Sequence, residues 1–192
     1  MVMGAVHFQS NLLIGLSKTI DRWCSDMLIE ADFASGVRNW NAMQALIKSV
    51  GRELGSSFMA LQMCGNIGLV STLAGTLSWL VWTNEETSRL QKTPELLALL
   101  PELLLFFVSA RLLAQGGKLT NKCEQVAPFI NQLQSADKCD FTGQYLVRFI
   151  QDSHAGFIVC GVTVTMNGFL RQMATLTTLV SGLVGVLLRM LM

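Results

Sequence analysis

Apolar residues recur along this chain in two different ways, and the change from one to the other divides it. From Gly4 to about Glu30, Phe8, Leu12, Leu16, Ile20, Trp23 and Met27 return at intervals of three and four. Lys18, Asp21, Arg22 and Ser25 lie between them. That interval places the apolar set on one face of a helix. A second stretch repeats the arrangement, with Val37, Trp40, Met43, Leu46, Ile47 and Val50 on one side. Arg38, Asn41, Gln44, Lys48 and Arg52 occupy the other. Residues 1–53 are therefore expected to be amphipathic helices whose apolar sides pack on neighbouring helices.

Beyond that point the alternation disappears. From Leu54 to Asn84 there is no charged residue, a run longer than the ~20 residues needed to cross a ~30 Å hydrocarbon core. Trp79 and Trp82 stand near its end, where indole rings suit a membrane–water interface. Its glycines, serines, threonines and Asn66 are of the kind found where membrane helices pack together. A polar loop, Thr83 to Thr93, precedes Pro94 and Glu95, which suit a first helical turn. Leu96 to Leu113 is apolar apart from Pro101, Glu102 and Arg111. Within a bilayer an acid such as Glu102 usually faces protein or water and marks function; a position near the interface is the other reading.

Gly116-Gly117 is expected to end this helix, as a glycine C-cap does. Leu119 to about Gln134 reads as amphipathic, with Pro128 expected to kink or divide it. A helix is expected from Gly143 to Asp152. Ser153 to Leu170 is uncharged and β-branched, and Gln172 to Met192 is apolar apart from Arg189. Either both runs cross as a hairpin, or the first is a buried, re-entrant or cytosolic segment leading into one span; the short turn available around Asn167 and Arg171 favours one span. The fold expected is all-α and membrane-integral, with spans at about 54–82, 94–114 and 170–192 and a cytosolic helical connection over 115–169. Lys118, Lys122 and Lys138 place that connection inside by the positive-inside rule. The N-terminus is then cytosolic and the C-terminus outside.

Composition agrees with a membrane class. Charged residues are 14% of the chain, hydrophobic residues 51%, and the mean hydropathy is +0.45, whereas soluble domains carry roughly a quarter charged residues. A net charge of +1 without clustered Lys and Arg excludes a nucleic-acid footprint. Cys24, Cys64, Cys123, Cys139 and Cys160 form no Cys-x-x-Cys pair, and with only His7 and His154 beside them no zinc site is expected. Nucleophile-elbow, phosphate-loop and zinc-protease motifs are all lacking. No enzyme activity and no cofactor are expected. The start shows no basic region ahead of an apolar run, so insertion is expected to depend on the internal segments.

One stretch carries a family likeness. Cys160-Gly161-Val162-Thr163-Val164-Thr165-Met166-Asn167 looks like a Cys-Gly-x-Phe-x-Leu-Asn/Asp signature with one residue extra, and Lys118 to Asn131 looks like a cytosolic anchor helix. From about Trp40 onward the chain resembles the C-terminal half of the seven-transmembrane ligand-gated ion channel superfamily of insect gustatory and odorant receptors and gustatory-receptor-like proteins of other eukaryotes. The Thr-Tyr and Gln-Phe pairs of insect gustatory receptors are not kept, with Thr177 the one correspondence. Most of the family's first four spans have no counterpart, so the resemblance implies a truncated form. It further implies a homotetramer or assembly with full-length subunits, in the cell membrane, gated by a small molecule and passing cations. The last helix would line the pore, and Cys160, Gly161 and Asn167 would lie in the region that anchors subunits.

The residues of the last run have their own reading. Thr175, Thr178, Gly182, Gly185 and Arg189 form one narrow stripe, and Leu176, Leu179, Leu183 and Leu187 a separate apolar face. Hydroxyl and backbone oxygens on such a stripe can replace an ion's hydration shell. Small residues at the same spacing equally permit close helix packing, through Thr178 and Gly182 or Ser181 and Gly185. The alternatives to a channel are a non-conducting multi-pass relative or accessory subunit, or a small transporter.

Overall fold

The computed structural model describes residues 2–30, 32–82, 98–133 and 141–191. They form α1 (Val2–Ile29), α2 (Phe33–Trp82), α3 (Leu100–Leu133), α4 (Phe141–Asp152), the strands β1 (Ile158–Val159) and β2 (Val162–Thr163), and α5 (Met166–Leu191). Among the described residues the fold is all-α apart from that small hairpin. The outer loop, the helix start at Pro94-Glu95, Lys138 and Cys139 lie outside the described residues, as do the side chains of Trp79 and Trp82.

The second amphipathic stretch and the uncharged run are one helix. α2 is 50 residues long, about 75 Å at 1.5 Å per residue. Asp32 starts it by accepting the amides of Ala34 and Ser35 at 3.1 and 3.2 Å. The Ser35 hydroxyl foremost, and then those amide bonds, hold its carboxyl below the usual carboxylate value. α3 runs antiparallel to the distal part of α2 and packs on all four other helices.

The core lies in the charge-rich half. It joins Leu13, Leu16, Ile20, Trp23 and Met27 of α1 to Trp40, Met43 and Ile47 of α2, Leu119, Cys123, Val126 and Ile130 of α3, and Leu146 and Ile150 of α4. Trp23 and Trp40 pack at 5.4 Å between ring centres, their planes tilted by 53°. Two details differ from the periodic reading. Phe8 is 59% exposed, and its place is taken by Gln9, which is buried and donates to Ser57 Oγ at 2.7 Å. Leu46 is exposed, whereas Gln44, assigned to the polar side, is buried. Gln44 donates to the Ser153 carbonyl at 2.5 Å and the Trp40 indole donates to Ser153 Oγ at 3.1 Å. In both cases a long amide side chain enters the core because a specific acceptor awaits it.

Gly116-Gly117 does not end a helix, and α3 continues through both glycines and through Pro128. Both glycines are buried contact points. A Cβ on Gly117 would come within 2.9 Å of the Met166 backbone nitrogen, and one on Gly51 would collide with the Ile158 carbonyl oxygen. The glycines admit the backbone of the 153–166 segment between α2 and α3, an approach any side chain would block.

That segment is where the expected helical connection fails. Residues 153–165 contain no helix that crosses anything. Phe157 is fully buried, edge-on to Phe58 at 5.7 Å, and its amide donates to Thr120 Oγ1 at 3.1 Å. Ile158 pairs with Thr163 and Val159 with Val162. Cys160 and Gly161 make the turn at φ of 50° and 81°, both positive as a two-residue hairpin turn requires. Of the two readings left open for the last uncharged runs, the buried segment leading into one helix is the one observed. The β-branched run forms a hairpin because its backbone groups find partners in Thr120 and in each other.

The charge-poor half is built the other way round. The stretches Phe33–Ser78 and Leu100–Leu133 hold helices long and apolar enough to cross a membrane, and only 33% and 39% of their apolar windows are buried. Ile67, Val70 and Phe107 are each more than 60% exposed. The core helix of a soluble protein would turn such side chains inward.

The glycine contacts give a stability test. Gly51→Ala and Gly117→Ala are each expected to cost about 1–3 kcal/mol through overpacking against backbone. Gly15 has nothing within 4 Å of a built Cβ, so Gly15→Ala should be neutral or gain up to about 1 kcal/mol of helix propensity. Thermal unfolding in detergent, followed by circular dichroism, checks the ordering. Equal effects at all three positions would show that the close approach is not formed.

Candidate functional site

Among the described residues, α5 is attached at its root. Thr165 caps its start, accepting the Gly168 amide at 3.1 Å. Phe169, Gln172, Met173 and Leu176 are half-buried against the rest of the molecule. Gln172 Nε2 donates to Asn66 Oδ1 of α2 at 3.0 Å. From Thr177 on, every residue of α5 whose side chain is described is exposed, including Leu179, Val180 and Val184.

The stripe expected from the sequence lies on this helix. Thr175 and Thr178 are exposed, Arg189 is exposed, and Gly182 and Gly185 meet nothing within 4 Å. The hydroxyls of Thr175, Thr177 and Thr178 donate to the carbonyls of Arg171, Met173 and Ala174, each at 2.9 Å. A hydroxyl whose proton is held by its own helix presents only lone pairs outward. The stripe is thus an acceptor surface at its lower end and bare backbone above. Arg171 and Arg189 bracket it, eighteen positions apart, about 27 Å of helix against a ~30 Å hydrocarbon core.

Glu102 is half-buried, its Cβ set against α2 at Gly68. Its Oε2 is buried without a partner among the described residues. It therefore faces protein and not the outer surface of α3. Cys160 and Gly161 form the exposed hairpin tip and Asn167 the exposed first turn of α5. They sit together at the foot of α5, away from the Thr178–Arg189 stripe.

Sequence reading missed the polar residues that tie the apolar half together. Gln62 is buried and donates to the Ser109 carbonyl at 2.6 Å. A side chain on Gly65 would strike Ser109 Oγ. Gln62 and Asn66 stand one turn apart on α2 in a run without charge. That spacing was the available signal, and it passed for simple dilution of an apolar span.

In the charged half Lys122 Nζ contacts both Asp21 carboxylate oxygens, at 2.6 and 2.7 Å. Two thiols lie nearby. Burial, with the Asp21 charge second, raises Cys24 to about 11, and burial, with Glu124 second, raises Cys123 to about 12. No group of three metal-binding side chains occurs among the described residues. Comparison of the chain with family models, with curated proteins and with solved structures finds no match.

The raised thiol values predict a labelling order. Only the thiolate reacts, so a rise of two units from the ordinary 9.0 leaves Cys24 about a hundredfold slower toward a maleimide than an unshifted thiol. At pH 8, Cys160, exposed at the hairpin tip, is expected to react first, with Cys24 and Cys123 silent until the chain is unfolded. Peptide mass spectrometry of timed samples reads the order directly. Early modification of Cys123 would contradict the packing of α1 on α3.

Proposed function

We propose that this chain is an integral membrane subunit that assembles through α5 into a cation-conducting pore. Its type is that of the gustatory-receptor-like ligand-gated channels, with α5 innermost in a tetramer. The observation that carries the reading is the free half of α5. A helix of apolar residues and glycines, uncovered on every described side, needs lipid, other subunits, or both. One face offers Leu179, Val180 and Val184 to lipid. The other offers threonine oxygens whose own protons are already used, which is the polarity a cation path needs.

In this reading α2 and α3 supply the first two crossings and α5 the third. The charged half, with its ordinary core, stands in the cytosol and joins subunits. Arg189 ends the stripe at the outer mouth, where a ring of guanidinium groups disfavours cations. One observation supports a second reading, a non-conducting oligomer. Gly182 and Gly185 are unobstructed, and with Thr178 and Ser181 one turn before them they make the small-residue spacing of closely packed membrane helices.

The test is chemical crosslinking and cation flux on the full chain in vesicles, with exposed native cysteines replaced by serine. Crosslinked species up to four subunits are expected. Thr178→Cys should lose most of its current to a thiol-reactive alkylammonium reagent, while Leu179→Cys keeps it. Arg189→Glu should raise cation conductance. Monomers alone after crosslinking would remove the pore, and oligomers without current would leave the non-conducting reading.

A further inference from the structure

Beside the root of α5, the elements α2, α3, the hairpin and α5 line an open cleft of about 610 Å³, within the ~300–1,000 Å³ range of small-molecule sites. Its walls are mostly apolar, including Phe58, Met59, Met63, Phe169 and Leu176, and among the described residues no charged one lines it. Three carboxamides do, those of Gln62, Asn66 and Gln172. Gln62 is more than nine-tenths buried and held by Ser109. Asn66 and Gln172 share one hydrogen bond. That bond uses the Gln172 NH2 and the Asn66 carbonyl oxygen, and leaves the Asn66 NH2 and the Gln172 carbonyl oxygen without a partner among the described residues.

We propose that this cleft binds a neutral amphiphile, its apolar body against the methionine and phenylalanine wall and its uncharged polar group on the Asn66–Gln172 pair. The chemistry sets the class. An ionised head would lose its hydration with no counter-charge in the wall, and a pure hydrocarbon would cover the amides without satisfying them. A hydroxyl or carboxamide both donates and accepts, and so answers both free groups. Methionines at the rim adapt to chains of different shape. The site needs only this pocket and holds whether or not α5 conducts. Because Gln172 is also α5's polar tie to α2, the occupant contacts that helix at its point of attachment.

The experiment uses the full chain in phosphatidylcholine nanodiscs with a diazirine-bearing 1-monooleoylglycerol, followed by peptide mapping. Saturable labelling of the peptides carrying Gln62–Asn66 and Phe169–Leu176 is expected, displaced by unlabelled monooleoylglycerol. Displacement by 1-monohexanoylglycerol added from water would place the natural ligand's source on the aqueous side; resistance to it would place the source in the bilayer. Both outcomes uphold the site. Gln172→Leu should weaken binding by up to about tenfold, the worth of one net hydrogen bond. Met59→Trp, which narrows the cleft at its rim, should reduce labelling severalfold in a chain whose thermal unfolding is unchanged. Unsaturable labelling spread over the exposed faces of α2 and α5, or labelling unaffected in Met59→Trp, would overturn the site. Equal competition by oleate would overturn the neutral class.

Discussion

The antiparallel seam between α2 and α3 runs through both halves of the molecule, and the other elements attach to it. On the charged side it is an apolar contact in which Trp40, Ile47, Leu119 and Ile130 are shut away from water. On the charge-poor side it is made of small residues and amides, with Gly65 against Ser109, Gly68 against Glu102 and Gln62 on the Ser109 carbonyl. In the proposed membrane reading the change follows from what lies outside. Where water surrounds the helices, burial of apolar area drives them together. Where the outside is itself apolar, that drive is absent and close backbone approach with hydrogen bonds has to serve.

The same reversal explains the placing of α5. Its root is fixed by Thr165, by Gly117 beneath Met166 and by the Gln172–Asn66 bond. From Thr177 on, every residue of α5 whose side chain is described is exposed. The hairpin at 158–163 is the hinge piece between the two regimes. Its Phe157 belongs to the water-excluding core, while Val162 and Cys160 are exposed at its tip. The cleft lies where the two regimes meet, and its mostly apolar wall carries the carboxamides of Gln62, Asn66 and Gln172.

Much of the architecture was legible from hydrophobic spacing. The stripe Leu16, Ile20, Trp23, Met27 and the face Trp40, Met43, Ile47 are the core, because a 3.6-residue period survives any tertiary detail. The errors have one cause. Gly116-Gly117, Gln44 and the 153–165 run were read by local preference, and each is decided by a neighbour distant in sequence. Met166 needs the glycine's empty space, Ser153 needs the glutamine, and Thr120 takes the Phe157 amide. The Thr175–Arg189 stripe was legible as a helical face, but not its exposure, which depends on what α5 fails to touch. The carboxamide cluster escaped notice because Gln62, Asn66 and Gln172 meet only after two helices and a hairpin have been placed.

The central claim is that the charge-poor half sits in a bilayer, with α2, α3 and α5 crossing it once each. Glycosylation mapping in microsomal membranes tests this most directly, with acceptor sites placed within Thr83–Thr93, within Ser135–Thr142 and on an extension after Met192. Modification of the first and last sites, with the middle one untouched, is the predicted result. An unmodified C-terminal site beside a modified first site would contradict the crossing of α5, and the pore with it.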